Sequence, residues 1–340
     1  MKMKTFGTLS NGQEVTLYTI SCGKLSAQIA DYGATLVNLW VPDKDGNLAD
    51  VILGYDDARG YEAGNSFQGA IVGRNANRIG NANFILNGTT YTLTPNEAPN
   101  NLHSGTDFFN KRMWQVEEAG ENIIRLSLES PNGDQGYPGN ARIQVTYSME
   151  KEGLKIAYDA VCDQDTVFNF TNHSYFNLAG NQNPHLAMEQ ELIMPAREYT
   201  VADSASIPTG EMRSVEGTPM DFRTRKPIGR DIDMDYESLN LQGGYDHNYE
   251  VFCNPCAILS DPHSGRSMAV VTDCPGIQFY AGNYLADNVE LGKNGVIYPK
   301  RGGVCLETQH YPNAVNNPAW KQPFTKAGEK YHSVTWYLFK

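Results

Sequence analysis

Three histidine-bearing stretches carry the side chains most able to do chemistry. The first runs from Phe168 to Leu178. Read as a strand, it puts Phe168, Phe170, Asn172, Ser174, Phe176 and Leu178 on one face. The other face carries Asn169, Thr171, His173, Tyr175 and Asn177. His173 there is either a proton-transfer group or a histidine on a wet sheet face, and the window alone leaves both open. The second stretch is Val304-Cys305-Leu306-Glu307-Thr308-Gln309-His310. Alternation sets Val304, Leu306 and Thr308 against Cys305, Glu307 and Gln309. A mid-strand carboxylate is unusual, because Glu is depleted in strands and costly to bury. Glu307-x-x-His310 has a metal-ligand spacing that works on a helix, but Gly302-Gly303 and Pro312 argue against a helix, so no metal site is expected. The third stretch, Gly243-Gly244-Tyr245-Asp246-His247-Asn248-Tyr249, is a polar turn or a ligand clamp, and its composition favours the turn.

Two loops add donors. Val72 to Gly80 holds Arg74 and Arg78 amid amides, and Arg offers a planar fork for vicinal hydroxyls or a carboxylate. Asn100 to Gly105 puts His103 in a turn-like setting. An ordinary loop is the plainer reading of each. Cys253-Asn254-Pro255-Cys256 stands alone, without the second pair a structural zinc site needs or a βαβ setting for redox work, and reads as a loop. Neither a phosphate-binding loop nor a helical zinc-protease motif occurs, so no cofactor is expected. Histidines, a mid-strand Glu, an Asp, an Arg/Asn pair and tyrosines suit acid–base work on a polar, uncharged ligand such as a sugar.

The elements that must position these groups are short strands. Period-two windows occur at Glu14–Ile20, Ile123–Leu128, Arg142–Tyr147 and Lys155–Val161. Asn87-Gly88 between two apolar runs predicts a hairpin. One short helix is expected, from Ile228 to about Leu239. Residues 200–245 are the least regular part and read as a long excursion over a sheet. Strand-like windows run from end to end without a repeat or a linker. The expected fold is therefore all-β: one large antiparallel β-sandwich spanning residues 1–340.

Composition limits the partners. Among 340 residues, 27 Lys and Arg against 39 Asp and Glu give a net charge of −12, a poor match for nucleic acid. No apolar run approaches the ~18 residues of a membrane helix. Polar residues follow Lys2 and Lys4 where a signal peptide would be apolar, so the chain reads as cytoplasmic or as a periplasmic or secreted form after signal removal. Six cysteines are too few for a disulfide scaffold at this length. The high counts of Tyr (19) and Gly (32) fit strands and turns.

The motifs, taken in order, resemble the aldose 1-epimerases, also called galactose mutarotases. The likeness runs nearly end to end: Asp43-Lys44-Asp45-Gly46, Asp50 to Tyr55, Gly73-Arg74 with Asn77-Arg78-Ile79, Asn101-Leu102-His103 and Gly136-Tyr137-Pro138-Gly139. It continues through Asn172 to Leu178, Ile207 to Gly210, Asp221-Phe222-Arg223, Tyr245 to Asn248, Gln278-Phe279-Tyr280 and Leu306 to Gln309. The resemblance implies a galactose mutarotase-like β-sandwich with a sugar cleft on one sheet. It implies that Glu307 is the general base on the anomeric hydroxyl and His173 the general acid on the ring oxygen. Asn77, Arg78, His103, Asp246 and Gln278 match positions that bind or orient the sugar, and Tyr175 and Tyr245 are expected beside the cleft. The substrate implied is an aldohexose such as galactose or glucose, with no cofactor or metal. A non-catalytic sugar-binding module and an epimerase for a phosphorylated sugar are the competing readings. His103-Ser104-Gly105, Asp107-Phe108-Phe109 and Ala314-Val315 depart from the family pattern, at positions expected along the cleft edge.

Overall fold

Period-two windows become strands in the computed structural model, which describes residues 2–287 and 290–340. Glu14–Cys22, Ile123–Ser130, Ala141–Met149 and Gly153–Cys162 contain the four windows. In Ala141–Met149 the odd positions Ile143, Val145 and Tyr147 are fully buried while Arg142 is exposed, as alternation requires. The Asn87-Gly88 hairpin forms between Asn83–Leu86 and Thr89–Thr92. Both turn residues have positive φ (51° and 77°), the backbone a two-residue hairpin of this twist needs.

The described residues form three larger antiparallel sheets. A five-stranded meander runs in chain order from Lys2–Thr8 to Leu48–Asp50. A nine-stranded sheet is centred on Gly153–Cys162 and Lys330–Phe339. A six-stranded sheet runs in the order Tyr175–Phe176, Val304–Gln309, Gly276–Tyr280, Asp246–Glu250, Glu198–Ala202, Pro208–Ser214. The six- and nine-stranded sheets face each other as a sandwich. Tyr337 Oη donates to Leu306 O at 3.3 Å, the Phe176 and Tyr337 rings lie 5.0 Å apart, and Thr308 and Thr335 hydroxyls meet at 2.5 Å. One apolar cluster includes Ile20, Leu39, Ile143, Phe279, Leu306 and Tyr337, drawn from all three sheets.

Two expectations change. The helix expected at Ile228–Leu239 is a single 3₁₀ turn, Ile228–Arg230, followed by irregular chain and then the α-helix Glu237–Gln242. Gly229 and the three aspartates at 231, 233 and 235 are poor helix formers, and Ile228 and Ile232 are buried as loop anchors instead. Gly243 ends the helix at φ 66°, with its N–H on Leu239 O. Residues 200–245 are also more regular than expected, because Glu198–Ala202 and Pro208–Ser214 form the edge of the six-stranded sheet. A second short helix, Ala58–Ala63, starts at Asp57, whose carboxylate accepts from Gly60 N–H. Among the described residues, no helix is long and apolar enough to cross a membrane.

Candidate active site

Strand alternation delivers the chemistry to one face. On Val304–Gln309, Val304 and Leu306 enter the core shared with the nine-stranded sheet, so Cys305 and Glu307 point the opposite way. Across the ladder, Gln278 lies opposite Glu307, Tyr280 opposite Cys305, Asp246 opposite Tyr280, and Tyr175 opposite Cys305. The Phe168–Leu178 stretch is broken into short strands rather than one, but its alternation holds. Phe168, Phe170, Phe176 and Leu178 are core, while His173 and Tyr175 line a cavity of about 730 Å³. His173 ends the strand Thr171–His173, paired to Ala70–Val72, and its carbonyl accepts from Gly69 N–H at 3.0 Å. Gly69 has φ 69°, and a Cβ there would collide with the Leu36 carbonyl, so this close approach requires glycine.

The cavity gathers His173, Glu307, Tyr175, Asn77, Arg78, His103 and Asp246. His173 Nε2 lies 3.7 Å from Glu307 Oε1, and both residues are nearly fully buried. Arg78 forms a two-point pair with Glu97, Nε to Oε2 at 2.6 Å and Nη2 to Oε1 at 2.9 Å, which fixes its guanidinium plane. Asn77 adopts φ 62° and bonds twice to its neighbours: its Oδ1 accepts from Arg78 N–H at 2.8 Å, and its N–H donates to His103 Nδ1 at 3.1 Å. That bond leaves the proton of neutral His103 on Nε2. Gln278 acts on the site through Asp246, its Nε2 donating to Oδ1 at 2.7 Å.

Charge in this enclosure is tuned by burial. Burial pushes His173 down to about 4, with a bond to its own carbonyl working the other way. Burial, and then the Asp246 carboxylate, push the Glu307 carboxyl well above its usual range, while Arg78 pulls it back. Asp246 is also raised by burial, against the pull of Arg78 and Gln278. Burial, His173 and Arg78 together hold His103 well below its ordinary value, so it is a neutral donor. A carboxyl and an imidazole 3.7 Å apart can therefore pass one proton between them through a ligand atom on each.

Several sequence expectations need correction. Asp246 to Tyr249 is strand, not turn; the turn is confined to Gly243-Gly244. Tyr245 does not reach the cleft. As the neighbour of outward Asp246 it faces inward, stacks on Phe279 at 5.2 Å and donates to Pro219 O at 2.9 Å. The two arginines of the Val72–Gly80 loop divide: Arg74 is fully buried and bonds Ser130 Oγ and the carbonyls of Ser130, Pro138 and Gly139. Ser104 is buried between Asn75 and Tyr137, Phe109 is core, and Val315 packs with Ile79 and Phe84, so these three lie behind the cavity wall, while Phe108 packs on the lining residue Phe67 with ring centroids 5.0 Å apart. Cys253-Cys256 lies in a loop, and all six cysteines are unpaired. His310 turns away to the Lys321 carbonyl at 3.2 Å, so the Glu307-x-x-His310 spacing assembles nothing.

The cavity also uses residues that sequence reasoning did not single out: Phe67, Glu97, Tyr280 and Ser204 to Ser206. Tyr280 was readable, two positions from Gln278 on the same outward face. Phe67 sits at φ 56° in a loop and contacts both His103 and His173 rings, at 4.7 and 5.9 Å. No period marks it.

The profile of the aldose 1-epimerase family matches residues 16–338. Galactose mutarotase of Homo sapiens is 39% identical over 342 residues, covering 98% of this chain and 97% of that protein. Aldose 1-epimerase of Escherichia coli is 34% identical over 346 residues, covering 97% and 96%. Among solved structures, an aldose epimerase homologue from C. elegans superposes with a TM-score of 0.87 at 30% identity, covering 95% of this chain and 98% of that one. Galactose 1-epimerase from Lactobacillus acidophilus gives 0.86 at 27% identity, covering 100% and 98%. With likeness at this level along almost its whole length, and with the cavity that the resemblance anticipated, the chain belongs to the aldose 1-epimerase family.

Proposed function

We propose that this protein is an aldose 1-epimerase that interconverts the α and β anomers of an aldohexose such as galactose or glucose, with Glu307 and His173 as the reacting pair. The observation that carries the assignment of the pair is the 3.7 Å approach of two buried, oppositely tuned groups on the cavity wall. In the tautomer that carries the pair's one proton on His173, Glu307 removes the proton from the anomeric hydroxyl. The electron pair closes C1=O1, the C1–O5 bond breaks, and His173 delivers a proton to O5. Rotation about C1–C2 turns the other face of the aldehyde to O5. The same two groups then run the steps in reverse. Protons balance within the pair, so the step needs neither a cofactor nor a nucleophile.

The remaining cavity residues are assigned to the sugar. Arg78, braced by Glu97, and the Nε2–H of His103 offer donors; Asp246, held by Gln278, offers acceptors; Tyr175 and Tyr280 offer ring faces to C–H groups. A phosphorylated sugar is disfavoured, because Glu97, Asp246, Asp287 and Glu307 line the cavity against Arg78. A purely binding role is disfavoured because both proton-transfer groups are present and in reach of each other. We also infer that residues 1–340 act as one unit, supported by the apolar cluster common to the three sheets. Six unpaired cysteines support a reducing, cytoplasmic setting. Polarimetry on freshly dissolved α-D-galactose and α-D-glucose tests the activity: the enzyme accelerates the drift in rotation for at least one sugar, and a drift equal to that of buffer for both overturns the reading.

A further inference from the structure

Cys305 has no part in the proton transfers, yet its thiol lies against the pair that does. It is fully buried, opposite both Tyr175 and Tyr280, with Sγ 3.5 Å from His173 Nδ1. One donor atom each from His173, Cys305 and Glu307 lies within 4.8 Å of the other two. Around a tetrahedral ion with bonds of about 2.0–2.3 Å, ligand atoms stand roughly 3.3–3.6 Å apart. The cluster is therefore within small side-chain movements of a coordination sphere. Cys305 and Glu307 share one strand, and Tyr175–Phe176, just beyond His173 in the chain, pairs with that strand, which limits how far the three can drift apart.

We propose that His173, Cys305 and Glu307 form an inhibitory site for a thiophilic divalent cation, of which Zn²⁺ and Cd²⁺ are the chemical type. One sulfur, one nitrogen and one carboxylate oxygen suit these borderline-soft ions and not Mg²⁺ or Ca²⁺, which take oxygen ligands. Three protein ligands leave a fourth position that faces the cavity. Binding releases two protons to solvent, the thiol's and the one shared by Glu307 and His173, and the resulting thiolate and carboxylate balance the charge of the ion. The ion takes both groups that move protons in the sugar reaction, so it blocks turnover and competes with the sugar. The blocking rests on the reacting pair proposed above; the binding does not.

The test titrates Cd²⁺ into protein carrying Cys253→Ser, which removes the exposed thiol, and follows thiolate-to-cadmium charge-transfer absorption. The expected result is one equivalent bound, reversed by chelator and weakened by galactose. Binding should also weaken by more than about tenfold when either Cys305→Ser or Glu307→Gln is added. In parallel, Zn²⁺ should stop mutarotation competitively with the sugar, and chelator should restore it. Absence of the absorption, or equal affinity in the Cys305→Ser protein, overturns the site. Binding through Cys305 with mutarotation unchanged upholds the site and overturns His173 and Glu307 as the reacting pair.

Discussion

Glu307 and His173 are both driven toward their neutral forms by burial, and this decides how their activity depends on pH. The productive pair holds one proton in total, on either member. Below neutrality a second proton must settle on His173, and burial delays this until about pH 4. On the alkaline side the last proton leaves a carboxyl that burial and Asp246 hold well above its usual range. In chelator-treated enzyme the pH profile of kcat/KM is therefore a broad bell whose acid limb lies near pH 4. An acid limb near the ordinary imidazole value of about 6.5 would contradict this. His103→Gln should raise KM more than it lowers kcat, because the ring is a neutral donor to the sugar rather than a reacting group. Steady-state kinetics on galactose reads the split. At this scale the sequence was informative about direction: alternation alone put His173 and Tyr175 on one strand face and Glu307 opposite the apolar Val304 and Leu306. It could not separate Arg74 from Arg78, because the carbonyls that capture Arg74 come from residues 130–139, far along the chain.

Strands are the elements that hold the site, and their inward residues set its rigidity. Leu306 is fully buried directly between Cys305 and Glu307 and reaches the core of the sandwich. Leu306→Ala should cost about 2–5 kcal/mol in urea unfolding and lower kcat as the Glu307 strand loosens. A loss below 1 kcal/mol would mean that the strand is held mainly by its ladder. Arg74→Met leaves several buried carbonyls without a donor and should cost at least about 2 kcal/mol, with KM rising because the Asn77–Arg78 segment follows directly. Strands of period two and the Asn87-Gly88 hairpin were legible because their signals are local. The helix near 237 was not, since short polar runs carry little periodicity and tertiary anchoring of Ile228 and Ile232 decided the matter. Tyr245 was misplaced for a related reason: one position beside Asp246 on a strand is the opposite face.

Across the whole molecule, four buried histidines work together. Burial holds His173 and His310 to about 4, His247 to about 3, and His103 well below its ordinary value. Once unfolded, each takes up a proton near pH 6.5, so between those values and pH 6.5 the unfolded chain binds more protons than the native state. Each histidine alone then costs about 1.4 kcal/mol of stability per pH unit as pH falls from about 6 toward 4. Glu307, Asp246 and Asp31, whose carboxyls are raised by burial, act in the opposite direction over this window, but they are three against four. The urea midpoint should fall from pH 7 to pH 5. A single transition followed by both fluorescence and circular dichroism is expected if residues 1–340 act as one unit; two separate transitions would refute that inference. The end-to-end order of motifs made the all-β sandwich legible. The pairing of its sheets was not, because contacts such as Leu306 with Tyr337 join distant strands.

In this mechanism Glu307 and His173 move the protons of ring opening. The most direct measurement is the first-order rate of α-D-galactose mutarotation, at saturating sugar and neutral pH, for wild type, Glu307→Gln and His173→Gln. Each substitution keeps a polar side chain of similar reach but removes proton transfer. The predicted result is a fall of about 10²–10⁴-fold in kcat for each variant, with the sugar still bound and the fold intact by circular dichroism. A folded Glu307→Gln enzyme that retains the wild-type rate would contradict the mechanism.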